Sequence, residues 1–184
     1  MKSKAIIHLV CILIVISASI SSAQTISLLP SDQVVRRGEP AVFVLEMDFT
    51  DPTLGGRFDI FYNSSFLIFA SFQFNPLLGD DPDFRRQPDD MSGELNGLAF
   101  GNFGGLSGTR VVGDLVFNTR ATTPLTTISM ADDTLMGGFY SAATYKRQLV
   151  IYSPANLTIT PEPASISLFL LGAGGLLGLL RKKR

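Results

Sequence analysis

The sequence predicts an all-β protein, a two-sheet sandwich or jelly roll of about nine strands, with an N-terminal signal peptide and a C-terminal transmembrane helix flanking it. Three observations carry that prediction. Apolar residues between 24 and 160 alternate with a period of two in short runs, and turn-forming pairs separate those runs. No window in that region keeps a long helical period, and the uninterrupted apolar stretches lie at the two extremities.

Residues 1–23 read as a secretory signal peptide. Lys2 and Lys4 precede an apolar run from Ala5 through Ile16, and the small residues Ser21 and Ala23 occupy the third and first positions before Gln24. That order of charge, apolar core and small residues is what signal peptidase recognises, so cleavage after Ala23 is expected. The other reading, an uncleaved anchor, asks an apolar core of this length to cross a bilayer. Cys11 is a residue of the signal core and no lipoprotein cysteine, because bulky Val10 precedes it and the apolar run continues past it.

Residues 24–160 form one domain, and its strands follow in order. The run at 41–49 places Ala41, Phe43, Leu45, Met47 and Phe49 on one face and Glu46 and Asp48 on the other. The run at 57–62 puts Phe58, Ile60 and Tyr62 together. Further strands are expected at 25–29, 66–74, 95–103, 110–118, 126–130, 148–152 and 156–160. Turns are expected at Arg37-Gly38, Asp51-Pro52, Gly55-Gly56, Asn63-Ser64, Gly104-Gly105, Thr123-Pro124, Gly137-Gly138 and Ser153-Pro154. With 14 phenylalanines in the chain and no tryptophan, aromatic packing between two sheets is the expected core.

Composition removes several function classes. His8 and Cys11 are the chain's one histidine and one cysteine, so residues 24–160 hold neither. Catalysis by a nucleophile with a histidine base is excluded there, as are disulfides and cysteine or histidine zinc sites. The domain carries 9 Arg and Lys against 15 Asp and Glu, a balance of 9 − 15 = −6, whereas the whole chain stands at −1. An acidic domain is a poor fit to nucleic-acid phosphates, and no nucleic-acid partner is expected. Two carboxylates would suffice for a glycosidase, but the acids cluster in loops beside prolines rather than on facing strands, so no catalytic residue is assigned.

The most specific pattern is at the C-terminus. Pro161, Glu162 and Pro163 precede 17 uncharged residues at 164–180, which Arg181, Lys182, Lys183 and Arg184 follow. As a helix, that span reaches roughly 25 Å, near the lower limit for crossing a bilayer, and the basic cluster is expected to stay cytoplasmic. Gly174 and Gly178 make one G-x-x-x-G pair, of a kind that arises by chance in a glycine-rich span. In its order, Pro-Glu-Pro, apolar span and basic cluster, residues 161–184 resemble the PEP-CTERM sorting signal. The resemblance implies Pro161, Glu162 and Pro163 as recognition residues for an exosortase, a membrane transpeptidase, and a location at the cell surface or in extracellular matrix or biofilm after export across the inner membrane. The alternative is an ordinary single-pass membrane anchor.

Within the domain, GRFDIFYNSSFLIF at 56–69, GTRVVGDLVF at 108–117 and NLTIT at 156–160 resemble segments of cohesin-like domains of the carbohydrate-binding-module superfamily. That resemblance implies a sandwich fold. Ligand-binding candidates come from the residues themselves. Tyr140 and Tyr145 flank the loop-like SAAT at 141–144 and are the tyrosines expected to be exposed, where a sugar ring could stack; the other reading is that they cap the core. Asp80, Asp81 and Asp83, with Asp89, Asp90 and Glu94 downstream, offer the carboxylate oxygens that calcium takes. No EF-hand spacing is present, and Arg85 and Arg86 stand among the acids, so a solvated acidic loop without metal or cofactor is expected. The expected function is therefore non-catalytic: an exported surface or matrix protein that binds polysaccharide or scaffolds matrix, with a cohesin-type protein–protein module as the second reading.

Overall fold

The computed structural model describes residues 24–134 and 137–162. The expected signal peptide at 1–23, Pro163, the apolar span at 164–180 and the basic cluster at 181–184 lie outside the described residues. Among the described residues, no helix is long and apolar enough to cross a membrane.

Eleven strands make up the domain: β1 (Gln24–Leu29), β2 (Asp32–Arg36), β3 (Pro40–Phe61), β4 (Leu67–Phe74), β5 (Asp89–Asp90), β6 (Glu94–Thr119), β7 (Thr123–Asp132), β8 (Gly138–Ser141), β9 (Arg147–Gln148), β10 (Val150–Ser153) and β11 (Ala155–Thr160). A short 3-10 turn, Pro82–Phe84, is capped by Asp81. The architecture is the sandwich-like, all-β fold expected from the alternation.

Two strands build both layers. The first half of β3 pairs antiparallel with β1 on one side and with the second half of β6 on the other, while β10 and β4 extend this layer at its edges. The second half of β3 pairs with the first half of β6, with β7 and with β8; β7 continues to β11, and β11 to β2 in parallel. Here the structure corrects the sequence reading. The expected strands at 41–49 and 57–62 are one strand of 22 residues, and those at 95–103 and 110–118 are one of 26.

Asp51-Pro52, Gly55-Gly56 and Gly104-Gly105 do not end strands. They sit where the β3–β6 register shifts, between Phe49, Thr53 and Gly55, and the pair of strands bends from one layer into the other. Glycine is required there by close approach. A Cβ on Gly55, whose φ is +125°, would lie 2.4 Å from the Phe100 carbonyl oxygen, and one on Gly101 would lie 2.3 Å from that of Leu54.

The core lies between the layers. Ala41, Phe43, Leu45, Met47 and Phe49 are all fully buried, as are Phe58 and Ile60, while Glu46 and Asp48 face outward. Aromatic rings cross the interface: Phe58 lies 5.8 Å from Tyr152 of β10, Phe49 5.2 Å from Phe139 of β8, and Tyr62 4.9 Å from Phe117 of β6. Offset and edge contacts of this kind add to the burial of the rings. β2, β5 and β8 are strands that the alternation did not mark.

Candidate functional site

The hairpin β8–β9 carries both candidate tyrosines. Tyr140 lies in β8 and is 42% exposed, whereas Tyr145, at the tip of the connecting loop, is 75% exposed. Tyr145 has a positive φ of 58°, uncommon for a residue with a side chain, and its N–H donates to the Ser141 carbonyl at 2.9 Å. The other two tyrosines turn inward and bond to acids. Tyr62 donates to Asp90 Oδ1 at 2.8 Å and Tyr152 to Asp132 Oδ1 at 2.6 Å. Burial first, and those hydrogen bonds second, push both phenols above their ordinary range.

The loop is fixed from below by Asp51. Its Oδ1 accepts from the Ser141 hydroxyl at 3.1 Å, its Oδ2 from Gln148 Nε2 at 3.1 Å, and its carbonyl from the same Nε2 at 2.8 Å. Ser141 Oγ in turn accepts the N–H groups of Ala143 and Thr144, both at 3.1 Å. Beside this network opens a cleft of about 650 Å³, lined by Gln24, Thr50, Asp51, Pro52, Ser141, Thr144, Lys146, Arg147, Gln148 and Leu149. Tyr145 sits in the chain between two of its lining residues, Thr144 and Lys146.

Tyr140 belongs to a second opening. A groove of about 420 Å³ is bounded by Leu54, Gly55, Gly56, Arg57, Phe84, Ala99, Phe100, Gly138 and Tyr140. Its far wall comes from the acidic insert, where Phe84 packs edge-on against the exposed Phe103 at 4.6 Å. Arg57 is held in place by an ion pair with buried Asp133 and a 3.0 Å hydrogen bond from Nη2 to Asn96 Oδ1. The hairpin therefore places one tyrosine at a polar cleft and the other at an apolar groove. The sequence reading missed Asp51, Arg57 and Phe84, because each reaches the site from a distant segment, and Gln148, whose amide matters only through its bonds to Asp51; the SAAT loop between two tyrosines was the one local signal.

Two of the carboxylates considered for calcium, those of Asp80 and Asp81, are engaged by the protein. Both oxygens of buried Asp80 accept from Arg85, and Asp81 Oδ1 accepts the Asp83 N–H at 3.1 Å as the cap of the 3-10 turn. Among the described residues, no group of three or more acidic, histidine or cysteine side chains is arranged to hold a metal ion. At the other end of the chain, Pro161 and Glu162 follow β11 directly, and both are exposed.

Comparison with known proteins yields two results. Residues 160–184 match the model of the PEP-CTERM protein-sorting motif, a signal for export and C-terminal sorting. The fold is that of cohesin domains. The seventh ScaB type I cohesin from Pseudobacteroides cellulosolvens superposes with a TM-score of 0.61 at 12% identity, covering 76% of this chain and 94% of that one. A type I cohesin–dockerin complex from Clostridium thermocellum gives 0.62 at 11% identity, covering 79% and 99%. A non-cellulosomal cohesin from the archaeon Archaeoglobus fulgidus gives 0.60 at 10% identity, covering 79% and 97%. No curated protein matches.

Proposed function

We propose that this chain is an exported surface or extracellular-matrix module, handled by an exosortase through its C-terminal tail, that works by binding polysaccharide at the β8–β9 end of the sandwich. Signal peptidase removes residues 1–23, and the apolar span at 164–180 holds the chain in the inner membrane until the tail is processed. The observation that carries the binding reading is the placement of Tyr145. Its ring is three-quarters exposed on a loop anchored by Asp51, next to a cleft lined by hydroxyl, amide, carboxylate and ammonium groups. A sugar offers hydroxyls to such a lining and C–H faces to such a ring, and a few polar groups converging in a concavity fix orientation. The domain works by contact, with no catalytic residue and no cofactor assigned.

The experiment is titration of the full chain with glycans purified from the cell's own matrix, read by calorimetry or a shift in melting temperature. Tyr145→Ala is expected to weaken binding by about tenfold, in the range of a lost ring contact, and Tyr140→Ala by less. Binding that survives both substitutions unchanged removes the glycan reading.

A second reading, a cohesin-type protein–protein module, is favoured by the fold and by the apolar groove between Phe84 and Tyr140. Capture of a defined secreted protein, lost on Phe84→Ala and indifferent to Tyr145→Ala, would select it.

A further inference from the structure

The turn joining β2 to β3 is held by hydrogen bonds to Thr119, and it touches the sorting motif. Thr119, buried at the end of β6, accepts the Gly38 N–H at 2.8 Å, and its hydroxyl lies 3.1 and 2.8 Å from the carbonyl oxygens of Arg36 and Glu39. Gly38 has φ +90°, a conformation that glycine takes without strain, so the chain reverses sharply there. The turn thereby presents Arg37. Its N–H donates to the Thr160 carbonyl at 2.9 Å, and its Nη2 lies 3.7 Å from Glu162 Oε1. β11 runs in register with β2 as far as Thr160 opposite Arg36, and the Thr160 hydroxyl bonds the Val35 carbonyl at 3.2 Å.

These contacts fall on residues 160 and 162, inside the segment that matches the sorting motif, with no spacer between sheet and motif. A processing enzyme that takes its substrate as an extended strand pairs with free backbone groups along an edge of that strand. At Thr160 one edge is already spent on β2 and its turn. At Glu162 the carboxylate faces Arg37.

We infer that the domain withholds its own sorting motif. Residues 160–162 rest docked along the β2–β3 turn, and processing proceeds from the state in which this end of β11 has peeled away. Arg37 is a positioning residue that sets how often that state is reached. The inference rests on reading the tail as an exosortase substrate. An exposed ion pair shifts such an opening equilibrium by up to about fivefold, so the device tunes the rate of processing and does not abolish it.

The test is a pulse–chase of the full chain in a host carrying an exosortase, with precursor and product resolved by an antibody to the domain. Arg37→Ala is expected to be processed about two- to fivefold faster than the wild type, and Arg37→Lys at close to the wild-type rate. A Gly-Ser-Gly-Ser insertion between Thr160 and Pro161 leaves every domain residue in place and is expected to be processed faster than either. Processing of Arg37→Ala and of the insertion variant at the wild-type rate, or slower, overturns the inference. A wild-type chain that keeps its tail in this host overturns the substrate reading itself, and the inference with it.

Discussion

Arg85 closes on Asp80 through two parallel hydrogen bonds, Nε to Oδ2 and Nη2 to Oδ1, each of 2.7 Å. The Asp80 side chain is fully buried, while that of Arg85 keeps 31% of its surface exposed. The fork geometry matches guanidinium to carboxylate. The hydrogen bond to Asp80 raises the Arg85 pKa above its already high value. Arg85 also sits 5.3 Å over the Phe74 ring, tying the acidic insert to β4.

Removing Arg85 strands a buried carboxylate. Arg85→Ala is expected to cost about 3 kcal/mol, the lower end for a broken buried pair because Arg85 is partly exposed. Urea unfolding of the two proteins measures it. Calcium or a chelator is expected to leave the wild-type midpoint unchanged, since the cation would have to displace a guanidinium already in place.

Phe58 is fully buried and in ring contact with Phe100, Phe139 and Tyr152. Phe58→Ala is expected to cost about 3–5 kcal/mol through lost burial and the cavity left behind. Val34→Ala, at an exposed position of β2, is expected to stay within about 0.5 kcal/mol. Equal effects of the two in denaturant titrations would contradict the layered core.

Tyr152 gives the domain an alkaline limit. Burial, and then the hydrogen bond to Asp132, raise the pKa of its phenol above the ordinary value of 10.0. Below pH 10 or so, folded and unfolded chains both keep the proton, and the contribution is constant. Above it the unfolded chain loses the proton first, so stability falls by up to about 1.4 kcal/mol per pH unit. Tyr152→Phe is expected to flatten that fall, as read from urea midpoints between about pH 9 and pH 11.

Much of the fold was legible because its longest alternations are one-sided. Ala41 through Phe49 could bury only one face, and the structure buries it. What misled was punctuation. Asp51-Pro52, Gly55-Gly56 and Gly104-Gly105 have turn chemistry, and that same chemistry lets a paired strand bulge and bend, so two long strands read as four short ones. β2 escaped notice because DQVVR holds little alternation and its partner β11 lies more than 120 residues away in the chain.

The candidate site was legible only in part. Tyr140 and Tyr145 were found from a local pattern, a small polar loop between two rings. Asp51 and Phe84 were not, since nothing near either residue says that a bend in β3 and an insert between β4 and β6 will meet the same hairpin.

The proposed processing removes both ends of this chain and leaves the sheet domain between them to work outside the cell. Mass spectrometry of the protein recovered from cell surface and medium tests it most directly. An N-terminus at Gln24 and a C-terminus near Pro161 are expected. Intact residues 164–184 on the recovered protein, or an uncleaved residue 1–23 segment, would contradict it.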